Sequence, residues 1–197
     1  DEVMTIFLAG HETSANALTW IWYLPSQHPQ IESKLHAELQ QVLDGKTPSV
    51  EDIPKLKYTK QIIEEGMRLY PPVWIIGRKA LDDDEIGGYK IPKNSDILII
   101  PYVNHHHPGF WEDPEVFNPE RFSPENSKNR HRYHYFPFGG GQRFCIGSNF
   151  AMMEMQLLVA TIAQRFKLRL APGQVVEKNP LVTLRPKYGM MMFLEKR

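Results

Sequence analysis

The chain has 197 residues, with 23 Lys and Arg against 23 Asp and Glu, 8 His, 16 Pro and a single Cys, and 42% of its side chains are hydrophobic. That length and apolar fraction suit a folded domain with its own core, while one Cys excludes both an intrachain disulfide framework and a zinc site of paired thiolates. Zero net charge argues against nucleic acid as a partner. The zero is uneven, however. Residues 1–127 carry 11 basic and 20 acidic side chains, whereas residues 128–197 carry 12 basic and 3 acidic ones, and the Cys, at position 145, lies in the basic part.

Val3 to Leu24 is free of proline, and its apolar residues recur at helical spacing, which predicts a long helix ending at Pro25. The chain opens without an initiating Met, a basic leader or a cap residue, so this helix reads as one begun upstream. A second helix is expected over Pro29–Leu43, closed by Asp44-Gly45. A short helix start at Ser49-Val50-Glu51-Asp52 follows, then a third helix over Lys57–Tyr70, stopped by Pro71-Pro72. Val73–Lys79, Glu85–Ile91 and Asp96–Tyr102 are short and β-rich and predict a small sheet, turned at Gly87-Gly88 and Pro92-Lys93-Asn94. Residues 104–144, dense in Pro, His, Asn and aromatic residues, predict a long coil packed by its own side chains. Helix is expected again over Ser148–Phe166, and strands over Lys167–Leu170, Leu181–Leu184 and Tyr188–Leu194. The fold class is therefore α+β, mostly helical. No apolar run approaches the roughly 18 residues of a membrane span, so a cytoplasmic location is expected and any membrane anchor would lie upstream of the chain.

The most informative stretch is Phe138-Gly139-Gly140-Gly141-Gln142-Arg143-Phe144-Cys145-Ile146-Gly147. Three glycines permit positive φ and close approach of the backbone to a flat object. The Cys sits just before an expected helix N-terminus, where the dipole and free N–H groups favour a thiolate, and Arg143 adds a cation. An inert buried thiol needs neither feature.

This segment resembles the haem-binding loop of the cytochrome P450 family, Phe-x-x-Gly-x-Arg-x-Cys-x-Gly, and matches it at Phe138, Gly141, Arg143, Cys145 and Gly147. The resemblance implies haem b as cofactor, with Cys145 as the proximal thiolate on iron, Arg143 on a haem propionate and Phe138 beside the sulfur. It also implies backbone N–H groups aimed at that sulfur. Glu65-Gly66-Met67-Arg68 would alone be an ordinary i, i+3 pair on a solvated helix face. In the family such a pair is buried and joined by the Arg of Pro119-Glu120-Arg121-Phe122, so Glu65, Arg68 and Arg121 are expected to form a structural network behind the Cys loop. Ala9-Gly10-His11-Glu12-Thr13-Ser14 resembles the family's oxygen-binding helix. There Gly10 would leave room for dioxygen, Thr13 would deliver a proton, and Glu12 would be the buried acid that feeds it.

The resemblance extends to Arg78 as a second propionate ligand and to a substrate pocket walled by Phe7, Ala9, Val73, Trp74, Ile75, Ile76, Thr183 and Leu184. The alternative for these apolar residues is simple sheet core. His105-His106-His107 is read as packed coil rather than a metal site, because adjacent imidazoles do not converge easily on one ion. Lys128-Asn129-Arg130-His131-Arg132 is either a solvated face or a basic rim that steers an acidic electron donor.

By resemblance, residues 1–197 are the C-terminal part of a single P450 domain whose N-terminal half is absent and would act as a partner. The implied activity is monooxygenation of an apolar small molecule with O2, using electrons from a ferredoxin or a flavoprotein reductase. A haem-thiolate isomerase or peroxide-driven enzyme is one alternative, against which the Glu12-Thr13 pair speaks. A fragment without stable haem is the other.

Overall fold

A computed structural model describes residues 1–197. Helix α1 (Glu2–Ser26) continues past its expected end, with Pro25 still helical. A proline in the last turn forfeits a single backbone bond, and Pro25 is buried, so packing keeps it in the helix. Helix α2 (Pro29–Leu43) ends on Asp44 and Gly45, both at positive φ. A 3-10 turn (Val50–Lys55) leads to α3 (Lys57–Leu69), whose first position, Leu56, offers no side-chain cap. Glu38 of α2 supplies it instead: its carboxylate accepts from the Tyr58 N–H, the Thr59 N–H (2.8 Å) and the Thr59 hydroxyl (2.7 Å).

The expected small sheet is two separate ladders. Strand β1 (Ile76–Lys79) pairs antiparallel with β4 (Asp96–Ile99), and β2 (Asp84–Ile86) with β3 (Tyr89–Ile91) across Gly87-Gly88. Val73–Ile75 join no ladder, although the Trp74 carbonyl accepts from the Tyr102 N–H (3.4 Å), and Pro101 at the first helical position converts the end of the third expected strand into α4 (Pro101–His105). The coil that follows contains a 3-10 turn at Pro119–Phe122, a single-turn helix α5 (Pro124–Ser127) and further 3-10 turns at Arg132–His134 and Gly141–Arg143. Helix α6 (Ser148–Ala163) leads to β5 (Phe166–Leu170), which pairs with β8 (Met192–Lys196), while β6 (Lys178–Pro180) pairs with β7 (Leu184–Pro186). The strand expected over Leu181–Leu184 is mostly the turn between β6 and β7. Its Leu181 N–H bonds locally to the carbonyls of Asn179 and Thr183, which leaves no ladder to join.

One core unites α1, α2, α3 and α6, with Ile21, Leu39, Ile62, Ile63, Met155 and Val159 all fully out of water. The approach of α3 to α1 depends on Gly66, where an added Cβ would lie 2.9 Å from Cγ1 of Ile21. Trp20 of α1 stacks on Tyr70 with ring centroids 4.0 Å apart and donates from Nε1 to the Leu184 carbonyl (3.2 Å), so α1 carries both the end of α3 and the β6–β7 turn. No helix is long and apolar enough to cross a membrane. Gly66→Ala should destabilise the fold by about 1–2 kcal/mol, because overpacking against a buried Ile exceeds the gain of roughly 1 kcal/mol in helix propensity. Chemical denaturation measures it, and an unchanged midpoint would show that α1 can move aside.

Candidate functional site

Phe136 begins the loop that carries Cys145. Its carbonyl accepts from the Gly139 N–H (3.0 Å), and the Phe138 carbonyl accepts from the Cys145 N–H (3.0 Å). Gly139 and Gly141 sit at φ +74° and +66°, a region L-residues avoid, which explains two of the three glycines. The third, Gly140, is extended, and a Cβ there would meet Tyr133 at 2.8 Å. Cys145 is exposed, with Gly147 beside its Sγ. No backbone N–H donates to Sγ, contrary to the expectation: the Cys145 N–H serves Phe138, and the Ser148 N–H at the start of α6 serves the Cys145 carbonyl (3.4 Å). Phe138 is half-buried against the helical core and meets the Phe144 ring edge-on at 6.5 Å.

These residues fit a haem. The thiol lies open on its loop, flanked by exposed apolar side chains at Phe144, Ile146 (103% exposed) and Phe150. Arg143 is exposed and makes no hydrogen bond or ion pair, and Arg78 on β1 donates only to the Gly77 carbonyl (2.8 Å). A soft sulfur ligand, an apolar surround and two cations with unused donors are the set that an iron porphyrin with carboxylate arms requires. The loop also touches β1: a Cβ on Gly139 would stand 3.8 Å from Cδ1 of Ile76.

Behind the loop, Glu65 and Arg68 are both 0% exposed. Arg68 grips the carboxylate with two bonds, Nε to Oε2 (2.7 Å) and Nη2 to Oε1 (2.8 Å), and the Asn118 N–H adds a third to Oε1 (2.9 Å). Its remaining donors serve the carbonyls of His105 (2.7 Å), Pro114 (2.7 Å) and Val116 (3.3 Å). Arg121 joins more loosely than expected. Its Nε stands 3.4 Å from Glu65 Oε1 without hydrogen-bond geometry, because Nη2 is drawn to the Asp113 carbonyl (2.8 Å).

Two neighbours were missed by sequence reasoning. Arg130, read as part of a basic run, turns inward. It donates to the Arg121 carbonyl and lies over the rings of Trp111 (4.4 Å) and Phe122 (4.6 Å), so Lys128 and Arg132 remain as the exposed cations of that run. The alternation of aromatic and basic residues there was the available signal. His105 is the other, fully buried, with Nε2 accepting from the Phe136 N–H (3.0 Å). The three adjacent imidazoles serve separate partners: His106 donates from Nδ1 to the Tyr102 carbonyl (2.8 Å), and His107 Nδ1 accepts from the Gly109 N–H (3.0 Å).

On α1, a Cβ at Gly10 would meet nothing within 4 Å, and the Thr13 hydroxyl donates to the Ala9 carbonyl (2.6 Å). Glu12 is exposed, where a buried carboxyl was expected. Its Oε1 accepts instead from the Thr183 hydroxyl (2.7 Å), which in turn accepts from Asn16 Nδ2 (2.9 Å). Thr183 and Leu184 are 5% and 2% exposed, which makes them anchors of the β6–β7 turn rather than open walls; the exposed apolar residues of that turn are Leu181 and Val182 (90%). Trp74 Nε1 donates to the Leu181 carbonyl (2.8 Å), which joins the Val73–Ile75 segment to the same turn. Phe7 is exposed and stacked on His11 at 5.6 Å, and Ala9 is exposed beside it.

Glu65→Gln should cost about 3–5 kcal/mol, since it strips the partner from a buried guanidinium. Arg121→Gln should cost distinctly less, given its longer contact. Equal losses in thermal or denaturant unfolding would contradict this ranking.

The sequence profile described as Cytochrome P450 matches residues 1–193. Cyclooctatin synthase of Streptomyces melanosporofaciens is 45% identical over 184 residues, covering 93% of this chain and 40% of that protein. Cyclooctat-9-en-7-ol 5-monooxygenase of the same organism is 42% identical over 173 residues, covering 88% of this chain and 38% of its own length. Among solved structures, the cytochrome P450DA heme domain superposes with a TM-score of 0.92 at 31% identity, over 99% of this chain and 44% of that one. The chain thus spans about 40% of the length of these curated relatives. A near-complete family match, a shared fold and a glycine-bent loop presenting an open thiol agree, and the chain belongs to the cytochrome P450 family.

Proposed function

We propose that this chain carries the haem-thiolate and oxygen-binding elements of a P450 monooxygenase that inserts one atom of O2 into an apolar organic substrate. The observation that carries the reading is the exposed Cys145 on a loop bent by left-handed Gly139 and Gly141, with Arg143 in the same loop and Arg78 on β1, the strand whose Ile76 borders Gly139. In this reading residues 1–197 form the C-terminal part of one P450 domain, and a further segment of the same protein covers the apolar start of α1, where Val3 is 82% exposed. Relatives named as a synthase and a monooxygenase of cyclooctatin chemistry support an apolar, alcohol-bearing substrate class.

Haem, when bound, supplies the activation of O2 with two electrons, so that one oxygen atom enters the substrate and the other leaves as water. The chain's residues set the conditions for it. Cys145 would hold the haem iron as its thiolate ligand, and that ligand would supply the electron donation that oxygen activation requires. Arg143 and Arg78 neutralise the propionates, while Phe144, Ile146 and Phe150 exclude water from the ligand side. On α1, Gly10 leaves space and the Thr13 hydroxyl, parked on the Ala9 carbonyl, moves a proton toward the oxygen-binding face. Glu12 replenishes that proton from the solvent side, held in place through Oε1 by Thr183. Phe7, Ala9, Val73, Trp74 and Ile75, with Leu181 and Val182, wall the substrate space. The electron donor is an acidic ferredoxin or flavoprotein attracted by the basic 128–197 region.

Cys145→Ser should abolish the red-shifted band that thiolate ligation gives the reduced carbonyl complex; its persistence would remove Cys145 as the ligand. Thr13→Ala should leave electron consumption in place while product falls and hydrogen peroxide is released. Unchanged coupling of electrons to product would take Thr13 out of proton delivery.

A further inference from the structure

We propose that His105 is a positioning residue that ties the buried Glu65–Arg68 pair to the Cys145 loop by presenting an unprotonated Nε2 to the Phe136 amide. The proposal rests on the reading of Cys145 as the haem ligand. His105 faces both structures at once: its main-chain carbonyl accepts from Arg68 Nη1 at 2.7 Å, and its ring Nε2 accepts from the Phe136 N–H at 3.0 Å. From Phe136 the series continues, carbonyl to Gly139 N–H (3.0 Å), then Phe138 carbonyl to Cys145 N–H (3.0 Å). A path of short hydrogen bonds therefore runs from a buried ion pair to the amide of the cysteine.

The amide partner fixes the tautomer. Because Nε2 accepts, the proton resides on Nδ1, which is buried near the main chain of Met67 and Arg68 at the end of α3 and makes no hydrogen bond of good geometry. The rings of Tyr135 (5.3 Å) and Phe136 (5.5 Å) pack against the imidazole and hold its plane. Burial, reinforced by His106 and the Arg68 charge, lowers its pKa from 6.5 to about 3, which favours the neutral ring that the hydrogen bond to Phe136 requires. An apolar replacement would leave the Phe136 N–H buried and unpaired, at the one point where the loop enters. Gln reaches about as far as Nε2, whereas Asn stops near the position of Nδ1.

The test compares His105→Asn and His105→Gln in the haem-loaded, full-length protein, with two readouts: hydrogen exchange of the Phe136 amide, and the fraction of the reduced carbonyl complex that shows the thiolate band. His105→Asn should exchange Phe136 about tenfold faster and lose part of that band, and His105→Gln should restore both. Wild-type behaviour of His105→Asn, or equal losses in the two variants, would overturn the proposal. If His105→Asn does not fold, His105→Gln decides alone, by keeping or losing the wild-type exchange rate. Absence of the thiolate band from the unmutated protein would instead refute the Cys145 reading, and the Phe136 exchange rates would still decide the link.

Discussion

The ion pair of Glu65 and Arg68 is the interaction on which the rest of the site depends. Taking both charges out of water costs several kcal/mol per ion, a cost offset only when every lone pair and N–H finds a partner. Here all five N–H groups of the guanidinium are used and the carboxylate accepts three hydrogen bonds: it takes two from Arg68 and one from the Asn118 amide, and the guanidinium serves three further carbonyls. Those carbonyls belong to residues 105–116, a stretch without a ladder to satisfy its backbone. A charge buried in one helix thereby dictates the path of a coil some forty residues away, and that coil in turn reaches Phe136, where the cysteine loop begins.

Much of this was legible in the sequence. Proline and glycine punctuation marked α2, α3 and α6 to within a few residues, since local chemistry sets helix ends. The spacing of Phe138, Gly141, Arg143, Cys145 and Gly147 identified the loop, because backbone conformations open only to glycine leave a visible trace. What stayed hidden involves partners distant in sequence. Nothing near Leu56 shows that Glu38 caps α3, and nothing in the basic run shows that Arg130 folds in over Trp111. Ladders of three to five residues are too short for periodicity to separate them from turns, which is why Leu181–Leu184 looks like a strand although only Leu184 joins one.

Helix α1 departs most from expectation. Glu12 is exposed, and it is oriented by a hydroxyl from the β6–β7 turn, whose own oxygen is steadied by Asn16. The acid and the apolar turn of Leu181 and Val182 therefore share one anchor, Thr183, and Trp74 brings the Val73–Ile75 segment to the same point. The candidate proton donor and the candidate substrate wall form one assembly rather than two independent sets of residues.

Helix α3 has no free end. Its first turn is capped by a carboxylate from α2, and its last turn holds the ion pair that organises the coil, where Gly66 also sets it close against Ile21. Most helices fray from their termini at little cost. This one can open only if α2 or the coil releases it, so its first and last turns exchange with solvent through the same large opening as its centre. Rigidity of that kind steadies the coil that leads through His105 to Phe136, where the cysteine loop begins.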